Sequence, residues 1–579
     1  MSRQRTEREA AAPAQPSGRS ETVALHIVVF VCGAVLMAFE MAGSRILAPT
    51  FGSTIFVWGG LIGVFLAALS LGYLVGGRLA DRVPRFLLLG AVIAVAGLVI
   101  LAVPLFAAPA SRWIDKGSPG SRFNPLFASM LFFFVPSVLL GMVSPFSVRL
   151  QAQSVATMGN VAGRLYSLST LGSIAGTMIA TFWFIPTYGT ANIVKALGIA
   201  LVLVSLLALA PRRGRTWRAS VASLVAMGAM IVAAIVLAVL PTPSYLQLDE
   251  GEKLVAEMDS PYQHIGVALV SRSYSGEEKQ WSLRMIFDKY IESEVMVEGG
   301  DPANIRLKEP YESGAKYTDT LHIPFLFSKD ARSVLIVGGG GGVVPTIFRR
   351  DYPQLEAIDV VEIDPVVLQV AEKYFGFRPG RNGVATHLVD GRVYVRDCAR
   401  QYDIILLDAF TGGRPPFHLL TQEFLRLVKA RLGPRGVAHL NIISALEGDK
   451  SKLFWAMLKT FHSVFGKEHV YAFPKLYDPR WGQVRDRTDG MNIELVALNF
   501  DDFENPLPKA AIEARARDRV GTLIKIPAIT RHAENYQTMD DLLCRTDPSE
   551  KRRRDREREW SHAAILTDDY APVDNWVND

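Results

Sequence analysis

Apolar residues follow two different rhythms along this chain. Between residues 24 and 241 they gather in seven long runs, near 24–44, 55–77, 86–108, 126–148, 163–186, 191–210 and 220–240, with polar residues mainly at the run ends. A helix needs ~20 such residues to cross a hydrocarbon core about 30 Å thick. One run alone is equally well explained by a buried core helix, but seven in succession predict a polytopic membrane domain over 24–241, preceded by a disordered tail over 1–23. The first run is too long and too late to be only a signal peptide. Pro104, Pro136, Pro145 and Pro186 fall within or at the ends of the runs, where membrane helices tolerate them if neighbours satisfy the freed carbonyls. Gly72–Gly76 and Gly172–Gly176 have the small-xxx-small spacing that lets helices pack closely.

The loop arginines orient this domain. Arg3, Arg5, Arg8 and Arg19 precede the first run, Arg78, Arg82 and Arg85 follow the second, and Arg212, Arg213, Arg215 and Arg218 follow the sixth. The positive-inside rule puts these groups, and the N-terminus, in the cytosol. Glu40 lies deep in the first run and Arg45 near its end. An ionisable residue inside a span marks a functional site by default; the alternative is a structural pair between the two or with a neighbouring helix.

After residue 242 the rhythm shortens. Residues 252–296 alternate apolar and polar in KLVAEM, HIGVALVS and WSLRMIF, with a Ser-Gly turn between the second and third, and predict a small antiparallel β unit. With its connecting segment this unit occupies 242–325. From 326 to 579 strands alternate with helices: SVLIV, a glycine run, a helix with Pro345 in its first turn, AIDVVEID, a helix through Tyr374, ATHLVD and YDIILLD. That order predicts a doubly wound parallel sheet, an α/β Rossmann-like fold. Such sheets bind ligands across the carboxyl ends of their strands. Acids close three successive strands there: Glu362, 24 residues after Gly338, then Asp390, then Asp408. An acid about 20 residues beyond a glycine turn is placed to meet ribose hydroxyls. The run Gly338–Gly342 lacks the GK[ST] ending of a P-loop, which argues against ATP hydrolysis.

Composition narrows the classes further. The 579 residues are 49% hydrophobic and 21% charged, which excludes disorder, collagen-like repeats and a single small soluble domain. A formal charge of +5 is too diffuse over this length to argue for nucleic acid. Cys32, Cys398 and Cys544 fit no metal or disulfide spacing. His322 and His418 have no second ligand at metal spacing and read as structural or pocket-lining, so no metal is expected. Arg552, Arg553, Arg554, Arg556 and Arg558, interleaved with Asp555, Glu557 and Glu559, read as an exposed helix face, with anionic lipid as the alternative contact.

SPYQHI (Ser260–Ile265), YTDTLHIPF (Tyr317–Phe325), VLIVGGGGG, VVEIDP, VDG and YDIILLDAF stand in the order seen in spermidine synthases. Over roughly 245–445 the chain therefore resembles the spermidine synthase (polyamine aminopropyltransferase) family. Phe39–Gly52, Gly163–Thr177 and ILTDDYAPVDN at Ile565–Asn575 extend the likeness to its membrane-fused bacterial members.

The resemblance implies a membrane-bound transferase that moves an aminopropyl group from decarboxylated S-adenosylmethionine to an amine such as putrescine, giving spermidine or a related polyamine. Glu362 would hold the ribose hydroxyls, Asp390 the adenine amino group, and Gly338, Gly339 and Gly340 would pack against the donor, with Asp364, Gly391 and Gln263 beside it. Tyr262 and Gln263 would close the site, Tyr317 would line the acceptor side, and Asp408 would take the proton from the attacking amine. Two family carboxylates are replaced, one by Gly341 in the glycine turn and one by Thr411 in the gate, read here as Asp408-Ala409-Phe410-Thr411-Gly412. Asp568 and Asp569, with Asp574, are candidates to restore that charge if the tail folds back.

The alternatives are a methyltransferase or other transferase using S-adenosylmethionine itself on a membrane-associated substrate, and a non-catalytic transporter or sensor that binds polyamine or nucleoside. The implied partners are a small amine and the lipid bilayer, with a homodimer allowed, and the implied location is the bacterial inner membrane. Seven spans with the N-terminus inside would place the soluble half outside, whereas adenosyl donors are made in the cytosol. A re-entrant run (the first or fourth), an external N-terminus or an outward-facing soluble half would each resolve the conflict.

Overall fold

The computed structural model describes residues 19–571 and 573, apart from 53, 118–122, 153, 210–216, 247, 250, 273–278, 411–414, 479–482, 485, 501–506 and 546. The tail up to residue 18, the turn between the second and third β segments, Arg212, Arg213, Arg215, Thr411, Gly412 and Asp574 lie outside the described residues. Two compact units result: Met1–Leu246 joined by Asp259–Gln263, and Gln247–Met258 joined by His264–Asp579.

Among the described residues of the first unit six helices are long and apolar enough to cross a membrane: Ser20–Phe51, Ile55–Arg82, Phe86–Gly117, Asn124–Gln151, Thr157–Thr187 and Thr190–Leu209. The seventh expected run forms the helix Trp217–Val239, whose apolar part, Ser223–Val239, is shorter. The first helix starts at Arg19, so the last residues of the expected 1–23 tail are helical. Two of the prolines noted in the sequence leave the same mark. Pro136 follows a π-helical turn at Met130–Phe134, and Pro186 one at Ala180–Phe184. Proline has no N–H and its ring crowds the carbonyl four residues back; widening one turn absorbs both defects without breaking the span.

The small-residue spacings are close helix contacts. A Cβ at Gly172 would sit 2.1 Å from the Phe30 carbonyl oxygen and one at Gly176 2.0 Å from that of Ala34, so neither position accepts alanine without separating the first and fifth helices. Phe39, Phe65 and Phe133 meet edge-on or tilted, with centroids 5.1–6.1 Å apart, at the buried centre. Leu66, Ile174 and Phe182, by contrast, are exposed, as lipid-facing side chains are in a bundle.

The second unit opens with an antiparallel sheet in the order β1 (Lys253–Asp259), β2 (His264–Arg272), β3 (Gln280–Phe287), β4 (Tyr290–Glu298) and β5 (Arg306–Leu307). Its larger sheet uses β6 (Ser333–Val337), β7 (Ala357–Glu362), β8 (Val384–Leu388), β9 (Tyr402–Leu407), β10 (Leu432–Ser444), β11 (Val470–Pro474) and, after a short ribbon of β12 (Tyr477–Asp478) and β13 (Gln483–Val484), β14 (Met491–Leu498). The strand order is β11-β14-β10-β9-β6-β7-β8.

The strands β8, β7, β6, β9 and β10 are parallel, while β14 runs antiparallel between β10 and β11. The sheet is therefore mixed rather than wholly parallel. The strand order reverses between β6 and β9, the switch point at which a ligand crevice opens beyond the strand ends. Every residue of β7 is buried, the signature of a strand covered on both faces.

Candidate functional site

The crevice begins at the turn after β6. Gly338 and Gly340 have φ of +105° and +46°, values that L side chains rarely adopt. A Cβ at Gly338 would lie 2.3 Å from the Asp408 carbonyl oxygen, so the bare glycine is what lets the turn after β6 pass the end of β9. The turn then feeds the helix Val343–Asp351. Gly341 donates its N–H to Ser293 Oγ at 2.8 Å, and a Cβ there would stand 2.9 Å from Ser293 Cβ. The position where the resembled family has a carboxylate is thus packed against β4.

Glu362, at the end of β7, is clamped by two backbone donors: Gly339 N–H at 2.9 Å and Asp364 N–H at 2.9 Å, one to each carboxylate oxygen. Burial raises its pKa, and those two amides pull the other way. Each oxygen keeps a lone pair for a further donor, the arrangement a vicinal diol matches. Asp364 is fully buried and caps the helix Pro365–Tyr374 through Val366 N–H. It holds Glu362 in place through its own amide rather than lining the crevice with its side chain. Asp390 caps the helix Gly391–Asp397, accepting from Arg392 and Val393 N–H, and its other oxygen lies 3.0 Å from His418 Nε2. Gly391 lets that helix approach β6, since a Cβ would meet Val337 at 2.5 Å.

Asp408, just past β9, accepts from Asn441 Nδ2 at 2.9 Å, and Asn441 Oδ1 accepts from Asn492 Nδ2 at 3.1 Å. These asparagines come from β10 and β14, so the antiparallel strand that the sequence pattern did not suggest supplies the support of Asp408. Burial pushes the Asp408 carboxyl up to about 6; the Asn441 hydrogen bond opposes this and nearby Glu494 adds to it. Glu494 is itself fully buried, accepting from Thr320 Oγ1 at 2.5 Å and facing His439 Nε2 at 3.1 Å.

Besides Asp288, just before β4, the sequence analysis missed Glu292, on β4. Its carboxyl is pushed up to about 8, first by burial and then by repulsion from Asp408, Asp288 and Glu362. Four acids of one sign therefore share a neighbourhood. Tyr317 joins them, donating its hydroxyl to the Glu292 carbonyl at 3.0 Å; burial, then Asp408 and Glu292, drive its pKa well above the usual value. Nothing in the pattern YIESEVMVE marks Glu292, because a charged residue on an alternating strand reads as solvent-facing.

Other expected residues are placed elsewhere. Asp568 is held by Arg392 in a two-point ion pair and by Thr421 Oγ1 at 2.7 Å, so its charge is already neutralised; Arg392 depresses its pKa. Asp569 is exposed. Tyr262 and Gln263 belong to the segment that packs with the first unit, where Arg45 donates to the carbonyls of Ser260 at 2.6 Å and Tyr262 at 2.7 Å. Arg45 therefore pairs with backbone and not with Glu40, which is half-buried in the first helix. His322 is buried against Tyr352, 2.7 Å from its hydroxyl, and burial pushes its pKa down to about 3. The arginine-rich segment is the helix Glu550–His562, and its face is not wholly exposed. Arg552 pairs with Glu447 and Asp547, while Arg556 is buried against Glu559 and the Leu446 carbonyl.

Residues 315–475 match the Spermine/spermidine synthase domain, a span that takes in Tyr317, the glycine turn, Glu362, Asp390, Asp408 and Asn441 but not Glu292. A polyamine aminopropyltransferase of Vibrio vulnificus is 42% identical over 153 residues, which is 26% of this chain and 49% of that protein. An eEF1A lysine and N-terminal methyltransferase of Homo sapiens is 32% identical over 153 residues, 24% of this chain and 22% of that protein. Among solved structures, a probable spermidine synthase from Corynebacterium glutamicum aligns at 18% identity and a TM-score of 0.36, over 52% of this chain and 93% of that one. The chain spans about half the length of the Vibrio relative.

Proposed function

We propose that the second unit is an aminopropyltransferase that uses decarboxylated S-adenosylmethionine and an aliphatic amine, tied to a bilayer by the first unit. The supporting observation is Glu292, whose ionisation is made costly first by burial and then by Asp408, Asp288 and Glu362 around it. Carboxylates gathered in a buried site are relieved by binding cations, and both substrates of this reaction are cations.

In this reading Glu362 accepts the ribose hydroxyls, its oxygens already aimed by Gly339 and Asp364. The glycine turn lies where the donor's backbone-facing side would rest. Glu292 and Asp288 supply the acceptor charge that Gly341 and Thr411 do not, and Tyr317 walls that side. Asp408 takes a proton from the attacking ammonium, which cannot act as a nucleophile until it is neutral. A positioned base of this kind is typically worth 10²–10⁴-fold. The carboxyl raised to about 6 is closer to physiological pH than an ordinary aspartate, as a base that must also release its proton needs to be. The donor supplies the activated carbon, beside a positively charged sulfur that leaves without further help.

Transfer from S-adenosylmethionine itself is the second reading, favoured by the human methyltransferase likeness and by the packed Gly341, which offers no carboxylate for an amine. Incubating purified full-length protein with each donor and candidate amines separates the two: aminopropyl transfer adds ~57 Da to the acceptor and methyl transfer ~14 Da. Aminopropylated product from the decarboxylated donor alone is the expected result; only methylated product, or none with either donor, would sink the first reading.

A further inference from the structure

We propose that the first unit binds the phosphate headgroup of an anionic lipid in the cavity walled by Arg45, Trp58 and Thr181. This proposal is independent of the reaction above. The cavity measures about 350 Å³ and is lined by parts of the first, second and fifth long helices together with Pro261. Its polar groups are donors. Arg45 spends two N–H groups on the Ser260 and Tyr262 carbonyls, which fix the guanidinium plane, and its remaining N–H groups have no partner among the described residues. The Thr181 hydroxyl is buried without a hydrogen-bond partner among the described residues, a costly condition that a ligand oxygen would relieve. Among the described residues no carboxylate lines the cavity.

The helix Ile55–Arg82 adds to this charge. Its first turn is capped by Thr54 and contributes Val57 and Trp58 to the wall, so the positive end of a 28-residue helix faces the same space. Thr181 lies within the π-turn at Ala180–Phe184 that precedes Pro186. Of the remaining wall residues Ser44 spends its hydroxyl on the Met41 carbonyl at 2.9 Å, and Met41, Val57, Ile185 and Pro186 are apolar. Free phosphate gains nothing from them, whereas the glycerol and first acyl carbons of a lipid do. Trp58 is 37% exposed at the mouth, as an indole at the headgroup level of a bilayer is. A fixed cation, a helix N-terminus and an unpaired hydroxyl around one partly apolar space together recognise a phosphodiester on an acyl glycerol.

Thermal unfolding of the full-length protein in neutral detergent, titrated with phosphatidylglycerol, phosphatidylcholine or inorganic phosphate, tests this. Phosphatidylglycerol should raise the midpoint saturably, as a ligand bound only by the folded state does. Arg45→Gln should weaken half-saturation roughly tenfold and Thr181→Val about threefold. Thr181→Val keeps the side-chain shape, so it decides the matter if Arg45→Gln loosens the Ser260–Tyr262 segment. Equal shifts from phosphatidylcholine, an equal shift from inorganic phosphate alone, or wild-type half-saturation in Thr181→Val would overturn the proposal.

Discussion

The crevice has two banks of acids, and they are built oppositely. On the β7–β8 bank Glu362 is clamped by backbone amides, Asp390 caps a helix and faces His418, and Asp568 is paired with Arg392. Each charge has a fixed donor. On the β4–β9 bank Asp408 and Asp288 repel Glu292; among the described residues Asn441 is the side-chain donor to Asp408, and the His264 N–H reaches Asp288 at 3.2 Å. The first bank is suited to orienting neutral hydroxyls and amino groups. The second awaits positive charge. The same residue type thus does two jobs, separated by what already surrounds it.

Breaking the second bank should cost most. Asp408→Asn removes the proton acceptor but keeps the Asn441 contact, and turnover should fall about 10²–10⁴-fold with little change in donor binding. Unaltered turnover, followed by product mass, would dissolve the distinction between the banks. On the first bank, Glu362→Gln leaves one oxygen where two accepted backbone N–H groups; donor affinity by calorimetry should drop ~10–100-fold, the worth of one or two charge-assisted hydrogen bonds.

Glu292 sharpens the comparison through pH. Its pKa of about 8 exceeds the ordinary 4.5, so the folded protein holds that proton more tightly than the unfolded chain. Stability therefore falls as pH rises from about 4.5 through about 8. A bound cation reverses the preference, so acceptor binding should release a proton and strengthen up to pH ~8. Glu292→Gln should abolish that dependence, raise the acceptor KM roughly tenfold, and raise the unfolding midpoint of the empty protein at pH 8.

Asp408 titrates in the opposite sense for activity: the base must be ionised, so turnover should decline as pH falls through about 6. Asn441→Leu removes a hydrogen bond that lowers this pKa and should move the acid limb upward by about one unit while sparing turnover above pH 8. The smallest effect belongs to Asp568→Asn. Its ion pair with Arg392 is 43% exposed on the aspartate side, and such pairs contribute ~0–1 kcal/mol. A large loss of acceptor binding there would restore the tail as a source of charge.

The legible parts share a physical cause: they are local. Apolar runs of membrane length, strand–helix alternation, glycines needing φ above zero and acids ending successive strands all follow from short stretches, and six of the seven expected long helices, the parallel part of the sheet and the strand-end positions of Glu362, Asp390 and Asp408 agree with them. What was illegible involves partners distant along the chain. Glu292 looked like a surface residue until β4 was set beside the glycine turn. Arg552 and Arg556 looked solvated until Glu447 and Glu559 met them.

By itself the sequence determined where long apolar helices give way to an α/β sheet, and which acids stand at the ends of that sheet, because length, periodicity and backbone freedom act between near neighbours. Only the tertiary structure decided which of those acids are neutralised and which are left facing one another. Neutralisation depends on side chains such as Asn441 on β10, Arg392 and His418, brought to the acids by pairing and packing that no local pattern records.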